Sequence, residues 1–197
     1  MTVSQALPEG LSRRERRADE RLDPRGVCNM ILDQVPDRAV TNVALQRLLY
    51  LAHGLSLART GHPLVYGYFE AWRHGPVHPA AHAAFKLAAH RPITFRALKR
   101  HPLTHVPAAI SCSIAENLAQ IIRQVALTYS SMPVEYLVEL CVAPRSPWEV
   151  VVDEARTGVV LGMIIPDDLI LDRYKYHKVQ VGLASRGECP REDRPYS

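Results

Sequence analysis

Apolar positions along this chain recur mainly at helical spacing. The clearest period lies in residues 114–129, where Ile114, Leu118, Ile121, Ile122, Val125 and Tyr129 repeat every 3.6 residues. Between residues 41 and 60, Leu45, Leu48, Leu49 and Ala52 form one stripe, and Leu51, Leu55 and Ala58 widen it. A helix apolar over so much of its circumference belongs at the centre of a fold. Its few polar positions include Gln46, Arg47 and Arg59, with Thr41 as N-cap and Gly61 as terminator. A shorter helix is predicted from Asp23-Pro24 to about residue 34, with Val27, Met30 and Ile31 on one face and Pro36 and Asp37 ending it. Ser131 and Pro133 open another, with Val134, Leu137, Val138 and Cys141 inward. Ser146-Pro147-Trp148-Glu149 predicts a capping box, in which the serine bonds the Glu149 amide, Glu149 reaches back, and Pro147 lacks the amide that would go unpaired. Residues 77–90 also read as helix, and Pro166-Asp167-Asp168 opens a last one, its acids favouring a helix start.

Three stretches break the pattern. Residues 66–73 are rich in aromatics and weak in helical period, so a short extended or hairpin segment is expected, closed by Gly75 and Pro76. Residues 91–113 contain Pro92, Pro102 and Pro107 and read as loop with one short helical piece. Residues 159–165 form a short β-like run. The predicted class is mainly α: a compact single-domain multi-helix fold with a short β-hairpin or extended element and flexible N- and C-terminal tails. Residues 1–24 read as a charged arm or an extension of the first helix, 25–178 as one helical domain and 179–197 as a C-terminal tail.

Composition adds exclusions. A chain of 197 residues suits one domain and can bury a core without disulfide or metal. No run of about 18 apolar residues occurs, so no membrane partner is expected, and the arginine-rich start lacks the apolar core of a secretory signal. Cys28, Cys112, Cys141 and Cys189 are widely spaced, without the close pairs of zinc ribbons or redox dithiols. Buried thiols in a reducing cytoplasm are the expectation. The net charge of +4 is uneven: residues 26–100 carry nine basic residues against three acidic ones. No acid lies between Glu70 and Glu116, a stretch holding Arg73, Lys86, Arg91, Arg96, Lys99, Arg100 and six of the nine histidines. Such a run attracts phosphate or an acidic protein surface, or forms a solvated face.

Three segments in order resemble the Panacea-domain family, also described as SocA-like or phage-associated GepA-like. Residues 41–50 (TNVALQRLLY), with Ala52, Gly54, Gly61 and Pro63-Leu64, are similar to the family's opening helix, of the form TNLKLQKLLYFAQG; Thr41, Leu45, Leu49 and Tyr50 match it. Residues 69–77 (FEAWRHGPV), with Pro79, are similar to its EAWxxGPVxP turn, with Gly75 and Pro76 in register. Ser146-Pro147-Trp148 is similar to its SPW motif. The sequence departs at Arg47, usually lysine; at His53, usually glutamine; at His74, usually aromatic; and in the apolar run Val150-Val151-Val152. The resemblance implies a compact helical domain with a short β element, acting as the antitoxin of a two-gene pair that binds a cognate toxin protein directly. A variant of the family presents its toxin to a AAA+ protease. No cofactor is implied.

Candidate partner-binding residues are Gln46, Arg47, Glu70, Trp72, Arg73, His74, Arg96, Lys99 and Arg100. Trp72 reads either as a buried ring beside the turn or as an interface anchor; Glu70 and Arg73 read as a local ion pair or as charge presented outward. His74, His78 and His82 have the spacing of ligands on a helix, but Gly75, Pro76 and Pro79 interrupt it and no acid lies near, so no metal is expected. There is no GxSxG, phosphate-cradling glycine loop or HExxH, and Ser56 beside His53 is common by chance, so an enzyme is not expected. DNA binding is the alternative, since a pI near 9.0 and the basic stretch suit phosphate contacts, although no helix-turn-helix stands out.

Overall fold

The structure, a computed structural model, describes residues 21–100, 103–157 and 163–177. Seven α-helices run through the described residues: α1 (Pro24–Gln34), α2 (Asn42–Thr60), α3 (Pro79–Phe85), α4 (Glu116–Tyr129), α5 (Val134–Cys141), α6 (Pro147–Thr157) and α7 (Asp167–Arg173). Five short strands, β1 (Phe69–Trp72), β2 (Gly75–Val77), β3 (Leu98–Arg100), β4 (Pro107–Ala109) and β5 (Ile164–Ile165), form two small sheets. The fold is mainly α, as the period of the apolar residues predicts. The proposed 1–24 arm lies outside the described residues up to 20; beyond it, Leu22 is buried and bridges Val65. The proposed tail, 179–197, lies outside the described residues entirely.

Local chemistry sets the helix ends. The Asp23 carboxylate accepts the Arg25 amide at 2.9 Å and Pro24 takes the first position of α1. Thr41 accepts the Ala44 amide at 3.3 Å at the start of α2. Gly61, with φ of 70°, ends it in the left-handed region. At α6 the Ser146 hydroxyl accepts the Glu149 amide at 3.2 Å, but the expected reciprocal bond shifts by one residue. Glu149 accepts the Arg145 amide at 2.6 Å, because the Ser146 amide already donates to the Ala143 carbonyl.

Helix α2 is the axis of the molecule. Fifteen of its nineteen residues are buried, and it packs against α1, α4, α5 and α7, which the wide apolar surface of its sequence requires. Its glycine has a steric reason: a methyl group at Gly54 would collide with the Tyr174 ring, whose hydroxyl donates to the Leu51 carbonyl at 2.8 Å. The last described residue closes the same contact. The His177 Nδ1 meets the Leu140 carbonyl at 3.0 Å, and its Nε2 meets the Tyr50 hydroxyl at 3.0 Å. A carbonyl only accepts, so Nδ1 carries the proton and Nε2 accepts from Tyr50.

Two regions differ from expectation. The helix predicted over 77–90 is shorter, because Val77 pairs in β2, His78 only caps α3, and a 3-10 turn (Lys86–Ala88) ends at Ala89, whose φ is +51°. Residues 91–113 contain no helical piece among those described; they form the antiparallel β3–β4 hairpin, with Leu98 opposite Ala109 and Arg100 opposite Pro107. Proline fits there because Arg100 and Pro107 form a pair that exchanges no ladder bonds. Of the β-like run, Ile164 and Ile165 pair with β1, and 159–162 lie outside the described residues. No described helix is long and apolar enough to cross a membrane.

Gly54→Ala is expected to destabilise the protein by about 1–3 kcal/mol through overpacking against Tyr174, read as a lower urea midpoint at unchanged slope; a wild-type midpoint would refute the contact. Stability should also fall in mild acid. Burial holds the His177 ring below its ordinary value of 6.5, outweighing the Leu140 carbonyl, and burial lowers His78 likewise. The unfolded chain therefore takes up protons near pH 6.5 that the folded one accepts only lower. Stability is full above about pH 7 and declines as pH drops through 6.5. His177→Gln should flatten that decline in melting temperatures measured from pH 7.5 to 5.5.

Candidate protein-interaction surface

The three motif segments, separated by up to a hundred residues, meet at one turn. Strands β1 and β2 pair antiparallel, Trp72 opposite Gly75, with only Arg73 and His74 between them, and β5 pairs on the other side of β1. Arg47, on the α2 face toward this turn, is 0% exposed. Its guanidinium donates to the Pro76 carbonyl at 2.5 Å and the His74 carbonyl at 2.6 Å. Gly75 has φ of +120°, a region reserved for glycine, and an added Cβ would sit 3.0 Å from the Arg47 Nε. The preceding residue, Gln46, is also buried and accepts the His78 amide at 3.0 Å, fixing the exit from β2.

Aromatic residues complete the frame. Trp72 is 9% exposed, its indole donating to Glu70 at 2.7 Å and its ring lying 4.9 Å from that of His82. Glu70 therefore serves the indole instead of pairing with Arg73, which is exposed. Trp148, directly after Ser146-Pro147, donates its indole N–H to the Trp72 carbonyl at 2.7 Å.

The candidate residues thus divide by place. Gln46 and Arg47 are enclosed, Trp72 nearly so, and His74 lends its carbonyl to Arg47 at the half-buried turn. Arg73 faces solvent on the turn itself. Arg96 is bound to Asp33 of α1 at 2.8 Å, so it ties the hairpin's base to the body. Lys99 and Arg100 lie on the exposed β3. The histidines do not converge: the His78 Nε2 meets the Tyr66 carbonyl at 2.9 Å while His82 packs on Trp72. His53 pairs with Asp167 at 3.0 Å and accepts the Val65 amide, while Ser56 donates to the His62 carbonyl. Both histidine nitrogens are thereby occupied away from the serine. No cluster of three or more histidine, cysteine or acidic residues arranged to hold a metal exists among the described residues.

Sequence reasoning did not single out Asn29. Its side-chain amide donates to the Ala97 and Ile110 carbonyls at 3.0 Å each, and its oxygen accepts the Ala97 amide at 2.8 Å. An asparagine amid the apolar run of α1 was the available signal, since a buried amide requires partners.

The description "Antitoxin SocA-like, Panacea domain" matches residues 45–149, from within α2 through the Trp148 motif. The Antitoxin SocA of Caulobacter vibrioides (strain NA1000 / CB15N) is 37% identical over 164 residues, spanning 82% of this chain and 87% of that protein. This chain belongs to the SocA-like antitoxin family. No solved structure matches it. The family's three motifs are parts of one construction here, with Arg47 and Trp148 both bound to backbone carbonyls of the β1–β2 turn.

Arg47→Met should therefore destabilise the fold by about 2–4 kcal/mol, since it removes the charge-assisted bonds to the buried Pro76 carbonyl and the half-buried His74 carbonyl. Arg47→Lys, which retains a donor and the charge, should lose distinctly less. Equal losses in chemical denaturation would contradict this role of the guanidinium.

Proposed function

We propose that this chain is an antitoxin that neutralises a cognate toxin by direct protein–protein contact. The family membership carries the reading, because the relative matched over most of both chains is named an antitoxin. The site geometry supports contact over chemistry. The polar residues of the motifs are spent inside the fold: Arg47, Gln46 and Trp148 bind backbone at the turn and its exit, and Trp72 binds the Glu70 carboxylate. What remains for a partner is shaped surface and charge. The stretch between Glu70 and Glu116 without acids gives that surface a positive face suited to an acidic macromolecule.

The experiment is expression of the gene adjacent to that of this chain, alone and together with it. Growth arrest by the neighbour alone, relieved on co-expression, with the two proteins co-purifying in about equimolar amounts, is the expected result. A neighbour without toxicity, or relief with no complex between the purified proteins, would defeat direct neutralisation. Relief that vanishes when a AAA+ protease is deleted would indicate adaptor action instead.

A further inference from the structure

We propose that the β3–β4 hairpin is the arm that grips the partner, its open β3 edge receiving an acidic extended segment of the toxin. The inference rests on the antitoxin reading and deepens it.

The hairpin is built as a projection. All six of its strand residues are exposed, and no third strand pairs with either edge among the described residues. Apolar side chains sit in solvent there: Leu98 is 56% exposed, Val106 59% and Leu103 84%. A three-residue edge carrying Lys99 and Arg100 is short and charged, which guards it against pairing with its own kind and leaves it open to an acidic strand. Its base is held by the three Asn29 bonds and the Arg96–Asp33 pair. Rigidity lowers the ordering penalty of binding, which suits a recognition element.

Register decides which edge is open. The Ile110 amide donates to the Ala97 carbonyl at 3.0 Å, so Ala97 and Ile110 stand at a bonded position of the register, with Asn29 bridging the Ala97 amide and the Ile110 carbonyl, and alternation makes Lys99 and Ala108 the next bonded position. The backbone groups of Leu98 and Arg100 then point outward along β3. On the other edge Pro107 has no N–H to offer, so β4 is blunted. A strand adding to β3 would meet Leu98 and Arg100 on one face and Lys99 on the other. The two cations, in a stretch with no acid from residue 71 to residue 115, select an acidic segment, and Leu98 selects an apolar residue within it.

The test uses the full chain and the purified product of the adjacent gene, with affinity measured at 50 and 300 mM salt. Lys99→Glu/Arg100→Glu and Leu98→Ser are compared with Arg123→Glu, a reversal at an exposed position of α4. All three should keep the wild-type circular dichroism and melting temperature. The hairpin variants should bind at least about tenfold more weakly, the double reversal should remove most of the salt dependence, and Arg123→Glu should stay within about twofold. In the wild-type complex the amides of Leu98 and Arg100 should gain protection from hydrogen exchange. Unchanged affinity and salt slope in the hairpin variants, or no protection at those amides, overturns the arm while leaving the antitoxin reading intact. A neighbour that neither arrests growth nor binds the wild-type chain defeats that reading, and the arm with it. Loss of retention on a 20-base-pair duplex without loss of toxin binding would assign the cations to nucleic acid and also overturn the proposal.

Discussion

A guanidinium sealed inside a protein must find oxygen partners within reach of its rigid fork, and Arg47 finds them in two backbone carbonyls of a single turn. Much of the architecture follows from that constraint. The turn must be tight enough to present the His74 and Pro76 carbonyls together, which the pairing of Trp72 with Gly75 achieves. Gly75 must lack a side chain, because its backbone is left-handed and Arg47 occupies the space a methyl would take. The neighbouring Trp72 carbonyl, fixed by the same turn, then receives the Trp148 indole and so attaches α6. Segments scattered from Arg47 to Trp148 are therefore one hydrogen-bonded unit, and a change in one is felt by the others.

This unit divides the molecule's polar residues into two kinds. Around α2 they are inward and hydrogen-bonded: Gln46 holds the exit of β2, His53 bridges Asp167 and Val65, and His177 closes the last turn on Tyr50 and Leu140. On β3 they are outward: Lys99 and Arg100 are exposed on a hairpin pinned at its base by Asn29. An interior devoted to positioning and an exterior of rigid, charged projection fit a protein that acts by contact.

Much of the helical frame was legible in the sequence, because a 3.6-residue period, a capping serine or threonine and a terminal glycine act locally. Thr41, Gly61, Pro24 and Ser146 serve as their residue types dictate. The β3–β4 hairpin was not legible. Leu98–Arg100 and Pro107–Ala109 are three-residue strands, too short to show a period of two, and their pairing rests on the distant Asn29. The length of α3 was misjudged for a related reason, since Val77 joins a strand whose partner lies in β1.

The sequence by itself determined most of the helices, the caps at Asp23, Thr41 and Ser146, the centrality of α2 and the three motifs that mark the family, since each depends on residues within a turn or two of one another. Only the tertiary structure decided that Arg47 and Gln46 are internal braces, that Glu70 binds Trp72 instead of Arg73, and that Lys99 and Arg100 are exposed on a hairpin strand. Those outcomes depend on which chain segments meet across tens of residues, and burial and partner choice are set there by packing and not by residue type.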